Sequence, residues 1–466
     1  MKHQNRRTFI KNSIITGSAM ALNNPFSMFG NSRRHSLKEI QIKKVDSNFE
    51  REPLIRPFGF KGGYMSEIWQ TVSYLESSSG NHQIGLCTQN VLWSDANVFS
   101  TNSEAAGNTL MYAVTEYAQK LIKGQTFKDP VSLLDDTLPE VYAYAKKVTS
   151  NPNLRKTFAL NALVGVDNAL WLLYAHENGF RTFDDMIPEM YKPCLSYRHD
   201  NAAAIPLMAY NIPINEISEA VDQGYFFMKI KIGQPGTQGE MLEKDKARLS
   251  AIHKAIGNVR TKYSKNGKLP YYFDANGRYE KKQTLMRLLD HAKKIGAFDQ
   301  ISVIEEPFNE ALEIDVSDIP VRLAADESAH TDVDAIKRIE MGYKAIALKA
   351  IAKTLSMTLK IAQEAHNRNI PCFCADLTVN PILIEWNKNV AARLKSFPGM
   401  NNLGLIESNG HQNYKNWKEM MSYHPQKNGS WVKAKNGVYS LGSDFYKKSG
   451  GIFDRSSHYE KMFLKR

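Results

Sequence analysis

Four short apolar runs that end in charged residues constrain the fold of this 466-residue chain more than anything else in it. The first, Phe227-Met-Lys-Ile-Lys-Ile-Gly233, is broken by two lysines two residues apart. Side chains alternate along a strand, so Lys229 and Lys231 project from the same face. The apolar neighbours predict that the strand is buried, and burial depresses a lysine's pKa because the ammonium form loses hydration. A second ammonium acts in the same direction. A lysine in that setting can serve as a neutral base, whereas an isolated Lys-x-Lys is more often a solvated face.

The three later runs favour the buried reading. Leu269-Pro-Tyr-Tyr-Phe-Asp274 delivers Asp274 and then Asn276; Ile301-Ser-Val-Ile-Glu305 delivers Glu305; Val321-Arg-Leu-Ala-Ala-Asp326 delivers Asp326. From Lys231 onward these positions are 43, 31 and 21 residues apart. Each interval predicts one strand and a returning helix, the repeat of a (β/α) barrel. Carboxylates gathered at the same ends of adjacent strands repel one another unless a hard cation lies among them, and Mg²⁺ takes such oxygens.

With these motifs in view, Lys-Ile-Lys-Ile-Gly, Asp-Ala-Asn, Ile-Glu-Glu-Pro and Ala-Asp-Glu-Ser, the sequence resembles the enolase superfamily, in its muconate-lactonizing-enzyme/mandelate-racemase branch. The resemblance implies a modified (β/α)7β TIM barrel with an α+β capping domain formed by N-terminal and C-terminal segments. It makes Asp274, Glu305 and Asp326 the ligands of one Mg²⁺ per site, Lys231 the base and Lys229 its electrostatic neighbour.

The order of segments fits that frame. Residues 1–36 include Arg6-Arg-Thr-Phe-Ile-Lys11 and a modestly apolar stretch, and resemble a twin-arginine export signal; a periplasmic or exported location follows as an expectation. Residues 37–200 predict the capping domain, 201–412 the barrel, and 413–466 a segment returning to the cap. Within the cap, Glu67–Leu75 reads as a strand and Asn161–Leu173 has helical apolar spacing. The glycine-containing stretch Arg56–Tyr64 and the segment Trp93-Ser-Asp95 offer Lys61, Tyr64 and Trp93 as substrate contacts, because family loops here choose the substrate. Thr331-Asp-Val-Asp334 has capping-box spacing before a helix with Val333, Ile336 and Ile339, and Gly342 can end it.

The later strands depart from the family pattern. On strand six, Lys344–Lys349 runs into Ala350-Ile-Ala-Lys353. In lactonizing-type members two lysines here are usually three apart and precede Gly-Gly; in this chain they are four apart and precede Thr354-Leu-Ser356. Lys353 is the favoured second base and Lys349 remains a candidate. The histidine base of the mandelate-racemase type is absent from strand seven, Ile370–Asp376, whose Asp376, with Thr378 and Asn380 beyond it, can reach the mouth. Glu407 resembles a strand-eight acid that contacts substrate or enolate, and Asn409 and His411 follow as substrate contacts. Dipeptide epimerases carry Asp-x-Asp here, from which Glu407-Ser-Asn409 departs.

The chemistry expected is removal of the proton α to a carboxylate by Lys231 to give a metal-stabilised enolate. Racemisation, epimerisation or cycloisomerisation follows if a second lysine acts on the other face; dehydration follows if a β-leaving group is lost. A non-catalytic carboxylate-binding protein is the alternative that the irregular strand six sustains. The formal charge of +12 falls to about +8 without the leader, and no nucleic-acid motif accompanies it, so a small carboxylate rather than nucleic acid is the expected partner. No run approaches the ~18 apolar residues of a membrane helix. Cys87, Cys194, Cys372 and Cys374 read as buried packing residues, and a homo-oligomer is expected.

Overall fold

Alternating side chains set the first layer. The computed structural model describes residues 37–60 and 63–464; the expected leader at 1–36 and Lys61 lie outside them. Strands β1 (Ile40–Phe60), β2 (Gly63–Ser77), β3 (His82–Gln89) and β4 (Thr126–Phe127) form an antiparallel sheet in the order β3-β2-β1-β4. Ile40 and Ile42 are buried while Gln41 between them is exposed, as the pleat requires. The β1–β2 register slips between Pro53 and Phe58.

Helix Lys156–Asn178 packs on the sheet. Gly85 on β3 permits the close approach: a Cβ there would stand 1.9 Å from the Gly165 carbonyl oxygen. This helix is long and apolar enough to cross a membrane, contrary to the expectation that no run approaches that length, but its apolar window is wholly buried within the protein. All four cysteines are buried and free.

The barrel follows. Strands β5 (Asn201–Ile205), β6 (Leu207–Met208), β7 (Met228–Lys231), β8 (Tyr271–Asp274), β9 (Ile301–Glu305), β10 (Leu323–Ala325), β11 (Ala345–Leu348), β12 (Cys372–Cys374) and β13 (Gly404–Glu407) pair in parallel, with β14 (Val438–Ser440) antiparallel to β5. Only Pro206 separates β5, which pairs with β13, from β6, which pairs with β7. A proline lacks the N–H a ladder needs, so β5 and β6 are one barrel strand split at Pro206, and it closes an eight-stranded ring.

Three expectations need correction. Between β9 and β10 the described chain forms a single 3₁₀ turn, Glu310–Leu312, in place of a returning helix; Pro307 and Pro320 bias their preceding residues away from helix. The capping box Thr331/Asp334 is present, but helix Asp332–Glu340 buries Ala335 and Arg338 and leaves Val333 exposed at 67%. The C-terminal segment divides its contacts. Its β14 extends the barrel sheet, while the Lys415 N–H donates to the Pro53 carbonyl (3.0 Å) and His458 pairs with Glu50 (2.8 Å) on the cap.

Cap and barrel are joined through a buried carboxyl group. Asp167, on helix Lys156–Asn178, accepts from the Oγ and backbone N–H of Ser356, near the start of helix Leu355–Asn367. Burial pushes the Asp167 pKa up to about 7 despite these hydrogen bonds. A carboxyl group with a folded pKa above its unfolded value near 4 favours folding when protonated, so its contribution is full below about pH 4 and lost as pH rises toward about 7. Urea unfolding across that window is expected to show stability falling with pH, and Asp167→Asn is expected to make the fall shallower; an unchanged slope in the variant would contradict this.

Candidate active site

The register of three neighbouring strands assembles the site. Lys231 on β7 lies opposite Asp274 on β8, which lies opposite Glu305 on β9. Asp326 and Glu327 come directly after β10, and Lys349 directly after β11. These residues therefore meet at the carboxyl ends of the strands, where a (β/α) barrel presents its loops. In the ring order β7-β8-β9-β10-β11, β7 and β11 are four strands apart out of eight and stand diametrically opposite. The two lysines face each other across the mouth, with the carboxylates along one arc between them.

A small cavity occupies that mouth. Its barrel lining includes Lys229, Lys231, Asp274, Asn276, Asp326, Glu327, Lys349, Asp376, Glu407 and Asn409, and the cap closes it with Phe58, Met65, Asn90 and Trp93. Glu305 lies beneath, fully buried. Lys231 Nζ donates to Asp274 Oδ2 (2.6 Å) and Asn276 Oδ1 (2.5 Å). Lys229 Nζ sits among three acids, at 2.7 Å from Glu305, 3.0 Å from Asp274 and 3.2 Å from Glu407. Tyr272 also donates to Glu305.

Charge compensation decides the ionisation states. Burial alone would lower the Lys229 pKa, as the sequence suggests, but Asp274, Glu305 and Glu407 overcome it and hold the group well above the ordinary lysine value. Lys229 is therefore a fixed cation, and the expectation of a depressed pKa fails for it. Burial also works to raise the Asp274 pKa; Lys229 and Lys231 overcome that and hold it at about 2. Asp326 is kept below the usual carboxylate range in the same way, by Lys349 and Lys353 against burial.

The two candidate lysines of strand six have different surroundings. Lys349 Nζ reaches the cavity, 2.5 Å from Asp326 Oδ2 and 4.3 Å from the centre of the Trp93 ring. Lys353 lies one turn on, in Ala350–Lys353, and its Nζ donates to the carbonyl oxygens of Asp326 (2.6 Å) and Ala329 (3.0 Å) away from the cavity lining. Geometry thus turns the preference from Lys353 to Lys349. The sequence signal for this was the strand end itself: Lys349 directly follows β11, whereas Lys353 has entered a helical turn.

The other sequence-derived contacts divide likewise. Trp93, Asn276, Asp376 and Asn409 line the cavity, as does Thr378; Asn380 instead caps the turn at Ile382 and Leu383. Tyr64 lines an adjoining outer cavity, and His411 lines neither. Asp376 is pushed up to about 7, chiefly by burial and then by Glu407. Glu327 went unassigned, although it stands in the Ala-Asp-Glu-Ser motif. It follows the end of β10, where strand alternation no longer turns successive side chains apart.

That acid matters for cation binding. Glu305, Asp326 and Glu327 each offer an oxygen within 4.8 Å of the others, and Glu327 Oε2 is buried without a hydrogen-bond partner among the described residues. Asp274, expected in the trio, adjoins this group through its register with Glu305, while its Oδ2 carries Lys229 and Lys231. The donors are hard carboxylate oxygens, and they fit a small divalent cation such as Mg²⁺.

Arg155 fastens the cap to this arc. Its side chain donates to Glu310 Oε1 (2.9 Å), to the Glu327 carbonyl (3.0 Å) and to the Trp93 carbonyl (3.3 Å).

A capped (β/α) barrel with opposed lysines and an acidic arc at its mouth is the class defined by this fold and site. Residues 214–427 match the family described as enolase C-terminal domain-like, so this segment is similar to that family. No curated protein matches the sequence. Among solved structures it is similar to a dipeptide epimerase from Enterococcus faecalis V583 complexed with Mg and L-Leu-L-Tyr, at 18% identity over 86% of this chain and 97% of that one, TM-score 0.59. The L-Ala-D/L-Glu epimerase of Bacillus subtilis (16%, 86% and 96%, TM-score 0.59) and a mandelate racemase/muconate lactonizing protein of Herpetosiphon aurantiacus (15%, 86% and 96%, TM-score 0.59) share the fold.

Arg155→Ala is expected to cost about 2–3 kcal/mol in chemical unfolding, because Glu310, which keeps His330, and two carbonyls lose the guanidinium that donates to them. Arg155→Lys should recover only part of this, since an ammonium cannot reproduce the guanidinium fork. Full recovery by lysine would show that charge alone fastens the cap.

Proposed function

We propose that this chain is a Mg²⁺-dependent enzyme that moves the proton α to a carboxylate, with Lys231 and Lys349 acting on opposite faces of the substrate. The observation that carries the reading is their diametric placement on one cavity beside an acidic arc. Held by Glu305 and Asp326 with Asp274 or Glu327, Mg²⁺ would supply Lewis-acid stabilisation of the negative charge that proton loss puts on a carboxylate. Lys231 must be neutral to accept the proton, and its ammonium now rests on Asp274 and Asn276. Lys349 on the other face donates the returning proton. Lys229 stays charged and keeps Asp274, Glu305 and Glu407 from repelling one another. Trp93 and Phe58 exclude water from above.

Opposed lysines support racemisation or epimerisation over elimination, because elimination returns no proton to the α-carbon and needs no donor on its other face. Racemases and epimerases among the similar structures favour the same reaction class. The non-catalytic alternative rested on the irregular spacing after strand six, and with Lys349 on the cavity it loses that motive. The Arg6-Arg7 leader supports export before the protein acts.

Incubation in D₂O with Mg²⁺ and pooled hydroxy acids, sugar acids, N-acyl amino acids and dipeptides, read by mass spectrometry and chiral chromatography, tests this. The wild-type protein is expected to exchange and invert an α-proton. Lys231→Ala and Lys349→Ala should each lower inversion by roughly 10²–10⁴-fold, with any residual exchange confined to the enantiomer served by the remaining lysine. Undiminished inversion in either variant would overturn the two-base assignment.

A further inference from the structure

Beside the inner cavity lies a larger one of about 480 Å³. Phe58 and Leu207 line both, so the outer cavity is where a substrate anchored at the inner site would extend. The two differ in charge. The inner lining is rich in carboxylates, whereas the outer contains none and presents Arg56, on the cap hairpin, and Arg278, just after β8. Among the described residues neither guanidinium has a hydrogen-bond or ion-pair partner. Two cations facing one cavity with no acid between them match an anion that comes from outside, and the planar guanidinium suits a carboxylate or a phosphate.

The far wall of the inner site points the same way. Glu407 Oε2 accepts from Lys229 and the Asp376 N–H, and Oε1 from Asn409 Nδ2. Asp376 Oδ1 accepts from the Leu377 and Val379 N–H groups, and Oδ2 from that of Asn409. Glu407 Oε2 and Asp376 Oδ1 thus carry two donors each, and Glu407 Oε1 and Asp376 Oδ2 one each, so this wall is largely satisfied from within the protein.

Building on the proposed function, we infer that the substrate is a dianion: one end is the carboxylate whose α-proton is moved, and the other is a second acidic group held in the outer cavity by Arg278 and Arg56. Overall charge agrees, since the chain without the leader residues is formally about +8 and would draw such a molecule in.

Calorimetric titration of the Mg²⁺-saturated full chain tests the inference. The probes are straight-chain dicarboxylates of increasing length, the monocarboxylates of equal length, and ω-phosphonocarboxylates. At some length a dianionic probe is expected to bind at least about tenfold more tightly than its monoanion, and the better of the two dianions identifies the end group as carboxylate or phosphate. Arg278→Gln should remove most of that preference and leave monoanion affinity unchanged, which also shows that the variant folds; Arg56→Gln serves as a second variant. Equal affinity for dianions and monoanions at every length, or a preference that survives both substitutions, overturns the inference. The inner-site reading fails separately, if no monocarboxylate binds in a Mg²⁺-dependent manner.

Discussion

The arrangement depends on mutual neutralisation of buried charge at the carboxyl ends of β7 to β11. Asp274, Glu305 and Asp326 have lost essentially all contact with water, and carboxylates this close would raise one another's pKa unless cations stood among them. Lys229 provides the fixed part of that compensation, reaching three acids from the middle of β7. Lys231 and Lys349 provide the movable part, each resting on one acid at the cavity surface. A divalent cation on the acidic arc would take over their role and release both ammonium groups toward a substrate.

The barrel makes this possible through register. Lys231, Asp274 and Glu305 stand in one row only because β7, β8 and β9 pair without a shift at that level. The cap then converts an open mouth into a closed cavity by laying Phe58, Met65 and Trp93 over the row. Arg155, half-buried, and Asp167, buried, are polar fastenings between the two parts, so the cap is held by directional bonds as well as by apolar packing.

Much of this was legible in the sequence, and the reason is periodicity. Alternation within Phe227–Gly233 and strand-plus-connection spacing between acids are local signals, and they placed Lys231, Asp274, Glu305 and Asp326 at one mouth. What escaped were matters decided beyond the strand ends. Lys349 and Lys353 differ by a single helical turn, and only the point where β11 stops tells which side chain looks inward. Glu327 was hidden for the same reason. The ionisation of Lys229 was misjudged because a sequence shows burial more readily than it shows which distant acids surround the buried group, and Glu407 lies 178 residues away. The missing helix between β9 and β10 shows that spacing alone does not distinguish a helix from an extended connection bounded by prolines.

The central claim, that the acidic arc holds a divalent cation which displaces lysine ammonium groups, is tested most directly by anomalous diffraction from crystals grown with Mn²⁺ in place of Mg²⁺. The account predicts one anomalous peak within about 2.0–2.6 Å of oxygens from Glu305 and Asp326 and of either Asp274 or Glu327, with Lys349 Nζ withdrawn from Asp326. A crystal at saturating Mn²⁺ with no peak at the barrel mouth, and with the lysines still on their carboxylates, would contradict it.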